Sequence, residues 1–233
     1  MKLYRNTTAL ILITLSLLVL SIVVLFNDIP DSSITGYDVV NTKVELFPTQ
    51  FKNCTFQLNP GWNMVSFYCF GMYVERGRAL ASIENSYESI FEYTTNDLTD
   101  PWKSYTISLP NWTVQQLNYM DRISGYWIYM IDNATFEYSG VYSDSKIYLY
   151  DGWNLVGYPL INASNINDSL TDISYSMVKY YNNTANIDTN YTSSNDTWLI
   201  YVKNGSNNTL NNFETYKGYW INVSGNQQWT ITR

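Results

Sequence analysis

Gly61-Trp62-Asn63-Met64-Val65-Ser66 recurs 91 positions later as Gly152-Trp153-Asn154-Leu155-Val156-Gly157, and Gly125-Tyr126-Trp127-Ile128 recurs 93 positions later as Gly218-Tyr219-Trp220-Ile221. Order is kept and spacing nearly so, which marks an internal duplication. Between these anchors Ser89-Ile90-Phe91-Glu92-Tyr93 aligns with Ser176-Met177-Val178-Lys179-Tyr180, and Trp102-Lys103-Ser104-Tyr105 with Trp198-Leu199-Ile200-Tyr201. Thr113 to Leu117 likewise answers Asn208 to Phe213. The boundaries predicted are 44–141 for module 1 and 142–233 for module 2. Two copies are too few for a solenoid, so each module is expected to hold its own core.

Within a module, a strand runs into a turn at Pro60-Gly61 or Asp151-Gly152, and Asp-Gly is a strong hairpin signal. Folded as a hairpin, Cys54, Phe56 and Leu58 share an apolar face with Val65, Phe67 and Cys69, which brings the two cysteines within reach of a disulfide. Helical spacing follows at Ala79, Ile83, Tyr87 and Ile90, and at Ile166, Leu170, Ile173 and Met177, predicting one helix per module. Two aromatic-rich strands come next. A short helical turn is expected at Val114 to Leu117 or Leu210 to Phe213, before the Gly-Tyr-Trp-Ile strand and a last strand close the unit. The connections are short, so pairing is antiparallel. The expected class is β-rich α+β: an N-terminal transmembrane helix followed by two homologous antiparallel-β modules, each with one helix.

Residues 9–26 (ALILITLSLLVLSIVVLF) run uncharged for 18 positions, about 27 Å as a helix against a hydrocarbon core of roughly 30 Å. Lys2 and Arg5 precede the run and Asp28 and Asp31 follow it, so the positive-inside bias leaves residues 1–8 in the cytoplasm and 27–233 outside. The reading is a single-pass membrane anchor, with a stalk at 27–43 that lifts the modules off the bilayer. A cleaved signal peptide is the rival, but Val24-Leu25-Phe26-Asn27-Asp28 offers no small-residue cleavage site. A pilin-like helix packed on copies of itself is a third alternative.

Acceptor sequons stand at Asn6, Asn53, Asn111, Asn133, Asn162, Asn167, Asn182, Asn190, Asn195, Asn204, Asn207 and Asn222. With 27 Asn and 44 Ser plus Thr in 233 residues, chance placement gives roughly five. All but Asn6 fall on the outer side, so these eleven are the candidate acceptors for covalent N-glycans. Residues 27–233 carry 11 basic and 20 acidic side chains, a net charge of −9, with no basic cluster for nucleic acid. The chain has no histidine, which removes the commonest general base and the histidine-based nucleophile systems.

The Gly-Trp-Asn opening, the Trp-x-x-Tyr strand and the closing Gly-Tyr-Trp-Ile resemble a module found, singly or in tandem, in archaeal and some bacterial cell-surface and S-layer-associated proteins. Ser33-Ile34-Thr35-Gly36-Tyr37 is also similar to sequences that follow the anchor of many small-genome archaeal exported proteins. The resemblance implies surface display and carries no catalytic residues.

Carboxylates at spacing four, Glu84, Glu88 and Glu92 in one copy and Asp168 and Asp172 in the other, read as solvated helical faces rather than a glycosidase pair. Asn165-Ile166-Asn167-Asp168 lacks EF-hand spacing, and no metal or cofactor is expected. Trp62, Trp127, Trp153 and Trp220 repeat and are assigned to core packing. Trp112 and Trp229 lack an identical partner in the other copy and are the candidates for stacking on a sugar ring. The expected role is non-enzymatic: a structural or adhesive element of the cell envelope. The alternatives are an ectodomain that binds carbohydrate or a partner protein, and a self-associating filament or virion surface subunit.

Overall fold

A computed structural model describes residues 50–110, 112–183 and 197–232, all within one unit spanning Phe47–Arg233. The expected anchor at 9–26 and its flanks at 1–8 and 27–43 lie outside the described residues. Among the described residues no helix is long and apolar enough to cross a membrane.

In the first copy the strands are β1 (Gln50–Leu58), β2 (Gly61–Val65), β3 (Val74–Glu75), β4 (Tyr87–Tyr93), β5 (Trp102–Thr106), β6 (Tyr119–Met120), β7 (Tyr126–Met130) and β8 (Ala134–Tyr142). The second copy has β9 (Ser145–Leu149), β10 (Gly152–Gly157), β11 (Ser164–Asn165), β12 (Tyr175–Asn182), β13 (Thr197–Val202), β14 (Asn212–Phe213), β15 (Gly218–Val223) and β16 (Gln227–Ile231). Both build the same sheets. A four-stranded sheet of order β2-β7-β4-β5 is matched by β10-β15-β12-β13, the pair β3-β6 by β11-β14, and the pair β1-β8 by β9-β16. Every pairing is antiparallel.

The expected hairpin of β1 with β2 does not form: β1 pairs with β8, while β2 pairs with β7. The reason lies in the Asn of Gly-Trp-Asn. Asn63 donates through Nδ2 to the carbonyls of Asn59 (2.6 Å) and Gly61 (3.0 Å), and its Oδ1 accepts from the Asn59 N–H (3.3 Å). Asn154 repeats all three bonds with Tyr150 and Gly152. These bonds use backbone groups that a two-residue hairpin would pair across its strands, and they turn the chain through a corner into another sheet. Gly61 and Gly152 sit in that corner at φ of +86° and +91°, where a Cβ is strained. Cys54 and Cys69 are nevertheless joined by a disulfide with their Cα atoms 6.0 Å apart. Cys54, Leu58, Val65, Phe67 and Cys69 are buried together, with Phe56 packed against them.

Among the described residues the α-helices are a single turn each, Arg76–Ala79 and Ile166–Ser169, and a 3-10 turn at Ala81–Ile83 follows the first. Glu75 caps the first by accepting from the Gly77 and Arg78 amides, and Asn165 caps the second through the Asn167 amide. Tyr87, Ile90 and Met177 lie instead on β4 and β12, whose β-branched and aromatic content suits a pleated surface. The helical turns expected at Val114 to Leu117 and Leu210 to Phe213 are absent. Asn212–Phe213 is instead strand β14, the rest of both segments has no regular structure, and the Leu117 and Leu210 amides donate to the carbonyls of Ser104 and Ile200.

The register also corrects the repeat alignment by one residue. Trp127 pairs with Phe91 and Trp220 pairs with Lys179, so Phe91 answers Lys179, Glu92 answers Tyr180 and Tyr93 answers Tyr181. Aligning tyrosine with Tyr180 rather than Tyr181 puts an outward residue on the inward face, which the period of two forbids.

Two buried clusters result, one built around Phe67, Phe70, Tyr126 and Phe136, the other around Tyr158, Phe213, Tyr219 and Trp229. The Tyr of Gly-Tyr-Trp-Ile is wholly buried in both, and its hydroxyl accepts the Asp121 or Glu214 amide. Contacts between the modules are reciprocal. Val65 bridges to Lys217 and Ser124 to Val156, the Ser66 amide donates to Tyr216 and the Gly157 amide to Ile123. A Cβ on Gly125 would stand 2.8 Å from the Val156 oxygen, and one on Gly218 would stand 2.7 Å from the Val65 oxygen. The glycine of each repeat therefore exists to let the other module's backbone in.

Candidate binding site

Successive strand residues face opposite sides, and β7 reads buried, half-buried, buried, half-buried, buried from Tyr126 to Met130. Tyr126, Ile128 and Met130 fill the core, which leaves Trp127 and Tyr129 on the outer face of the sheet. In β15 the same alternation puts Trp220 and Asn222 outside. Trp62 and Trp153 on the edge strands, Trp102 and Trp198 on the far strands, and Tyr93 and Tyr181 join them. The four repeated tryptophans assigned to the core thus belong to an outer aromatic surface: Trp62 is 39% exposed, and Trp127, Trp153 and Trp220 are half-buried.

These rings make the same contacts twice, each module lending residues to the other. Trp127 meets Tyr181 at 5.1 Å and Trp198 at 5.9 Å, while Trp220 meets Tyr93 at 5.0 Å and Trp102 at 6.0 Å. Within the copies, Trp62 lies 6.1 Å from Trp127 and Trp153 lies 6.4 Å from Trp220, both edge-to-face. An exposed aromatic row that follows the pseudo-twofold relation of two modules is a designed surface rather than scattered exposure.

Two open clefts lie along it. The first, about 550 Å³, is lined by Trp62, Phe91, Trp102, Trp127 and Tyr181. The second, about 470 Å³, is lined by Tyr93, Trp153, Lys179, Trp198, Ile200 and Trp220. They differ where Phe91 is replaced by Lys179, whose Nζ lies 4.9 Å from the Trp153 ring. Among the described residues the first cleft has no charged side chain in its lining.

The two residues expected to stack on sugars fall elsewhere. Trp229 is buried at 3% exposure, its Nε1 donates to the Ser169 carbonyl at 2.8 Å, and its ring packs 5.2 Å from Phe213, so it has no free face. Trp112 is exposed but lines neither cleft. Phe91, Trp102, Trp198, Tyr93 and Tyr181 were missed; their signal is the period of two, which sets them out of phase with the core residues of their strands.

The carboxylates do not converge. Glu84 and Asp172 are exposed on turns, Asp168 is exposed on the one-turn helix Ile166–Ser169, and Glu88 and Glu92 lie on β4. Among the described residues no group of three metal-ligating side chains is assembled. Burial pushes the Glu92 carboxyl up to about 7, helped by the negative Asp121 and opposed by a hydrogen bond from Ser124. In the second module this place is taken by Tyr180, beside the Lys217–Glu214 ion pair of 2.7 Å.

Asn53, Asn133, Asn162, Asn167, Asn204 and Asn207 are exposed. Asn182 and Asn222 are half-buried on β12 and β15, and Asn111, Asn190 and Asn195 lie outside the described residues. Comparison with family models, curated proteins and solved structures finds no match for the chain.

Proposed function

We propose that the chain is a membrane-anchored, N-glycosylated protein of the cell envelope that acts by adhesion, gripping neutral sugar rings in the cleft of Trp62, Phe91, Trp102, Trp127 and Tyr181. One observation carries this reading: five aromatic rings bound an open cleft whose lining, among the described residues, holds no charge. Large flat rings left in contact with water are costly, and a partner that covers them recovers roughly 25 cal/mol per Å². The C–H faces of a pyranose are flat and weakly polar and fit between rings set edge-to-face, as Trp62 and Trp127 are. Supporting the surface location are the apolar run at 9–26, the excess of sequons and the disulfide, since disulfides persist outside reducing compartments.

The test is titration of the full chain in detergent with a panel of neutral and acidic oligosaccharides, read by tryptophan fluorescence and calorimetry. Trp62→Ala and Trp102→Ala are each expected to weaken binding about tenfold, the loss of roughly 1.4 kcal/mol of ring contact, while Trp112→Ala leaves it unchanged. Absence of any saccharide response, or equal loss with Trp112→Ala, refutes the reading. A concentration-dependent dimer abolished by Trp62→Ala would make a second copy the occupant instead.

A further inference from the structure

Besides the exchange of Phe91 for Lys179, the outer faces of the two modules differ at a second position, Tyr129 against Asn222. Trp62 stands directly opposite Tyr129 in the β2–β7 register, and their rings are 5.0 Å apart. Trp153 stands directly opposite Asn222 in the equivalent β10–β15 register. The first tryptophan therefore has an aromatic neighbour across the strand, and the second has a short amide. Directly opposed side chains on one sheet face lie about 5 Å apart, close enough for anything attached to Asn222 to reach the Trp153 ring.

Asn222-Val223-Ser224 is an acceptor sequon. The Asn222 Oδ1 accepts a hydrogen bond from the Ser176 hydroxyl at 2.8 Å, which orients the amide. Its Nδ2, the atom that N-glycosylation would link to sugar, makes no hydrogen bond among the described residues. The Ser224 side chain likewise makes none; only its backbone is engaged, with Ser174 and Gln227.

We propose that Asn222 carries an N-linked glycan whose first sugar lies on the Trp153 ring, supplying in module 2 the cover that Tyr129 supplies in module 1. Linkage through Nδ2 leaves the Ser176 bond to Oδ1 intact, and the attached ring starts one strand spacing from Trp153. The chain's own glycan thereby shields the Trp153 side of the second cleft, and the Trp62 cleft is the one left for external ligands. This rests on the export half of the reading above and is independent of what the Trp62 cleft binds.

The test uses the full chain purified from its native host. Mass spectrometry of the peptide containing Asn222 is expected to show a glycan, and Ser224→Ala to remove it from that peptide alone. The variant is expected to melt about 2–4 °C lower, the response to loss of one ring contact in a unit of this size, and to make tryptophan fluorescence more accessible to acrylamide. In a Trp153→Ala background Ser224→Ala should shift neither quantity. An unmodified Asn222 in the native protein overturns the proposal, as does an equal shift with and without Trp153. Neither result depends on saccharide binding at Trp62, so the two readings fail separately.

Discussion

Replacing Asn154 by alanine tests whether one side chain sets the path of each module. Asn154 is 3% exposed and makes three hydrogen bonds, accepting from the Tyr150 amide at 2.8 Å and donating to the Tyr150 and Gly152 carbonyls at 2.7 and 3.1 Å. At about 1 kcal/mol net for each bond, the loss is about 3 kcal/mol. For a unit of this length that corresponds to a fall in Tm of about 6–12 °C. Asn154→Asp is the sharper variant. It keeps the acceptor but sets a carboxylate against two carbonyl oxygens, so its loss should exceed that of alanine. Asn63→Ala, at the same corner of the first copy, should cost a similar amount. Thermal and urea unfolding followed by circular dichroism measure all three. An Asn154→Ala protein within about 0.5 kcal/mol of the parent, or an Asn154→Asp protein as stable as the parent, would show that the corner is held by something other than this amide.

Reduction of Cys54–Cys69, which closes a loop of 15 residues, should lower stability by about 3 kcal/mol, seen as a drop in Tm on adding reductant that is absent in a Cys54→Ser, Cys69→Ser protein. Glu92 binds its proton more tightly folded, at about 7, than its ordinary value of 4.5. The folded state therefore holds more protons between those pH values, and stability falls as pH rises through that window, by at most about 3 kcal/mol from this group. Glu92→Gln should be more stable than the parent at pH 8, with a smaller difference at pH 4.5; urea titrations at both values decide it, and a gap that widens toward acid refutes the assignment. Gly218→Ala drives a Cβ to 2.7 Å from the Val65 carbonyl oxygen and should destabilise by about 1–3 kcal/mol. Because that oxygen belongs to the other module, one cooperative unfolding transition should move as a whole, and a calorimetric trace in which only part shifts would argue against the shared junction.

The duplication, the β-rich antiparallel class and the apolar face that holds the cysteines were legible in the sequence because each is a local or repeating pattern. Asn63 and Asn154 were visible as repeated residues, but their work at the corner was not, since hydrogen bonds to the residues two and four positions back leave no hydropathy trace. The same corner hid the pairing partner: a turn signal shows that the chain bends and does not show which strand it meets next. The helix was overread because Ala79, Ile83, Tyr87 and Ile90 satisfy helical spacing; Ala79 and Ile83 do lie on short helical turns, while a bulge between Tyr87 and Ser89 lets β4 present Tyr87 and Ile90 inward.

The aromatic surface shows most clearly where sequence stops and tertiary structure begins. Repetition of Trp62, Trp127, Trp153 and Trp220 was enough to show that both modules need these rings, whereas repetition is the same for a core residue and for one kept on a surface. Only assembly separates the two. Strand pleat sends Tyr126 and Tyr219 inward and Trp127 and Trp220 outward, and docking of the modules through Gly125 and Gly218 brings Tyr181 to Trp127 and Tyr93 to Trp220. Burial is a property of what the rest of the chain places over a residue, so a protein that spends its tryptophans on an outer face reveals it in three dimensions and not in its composition.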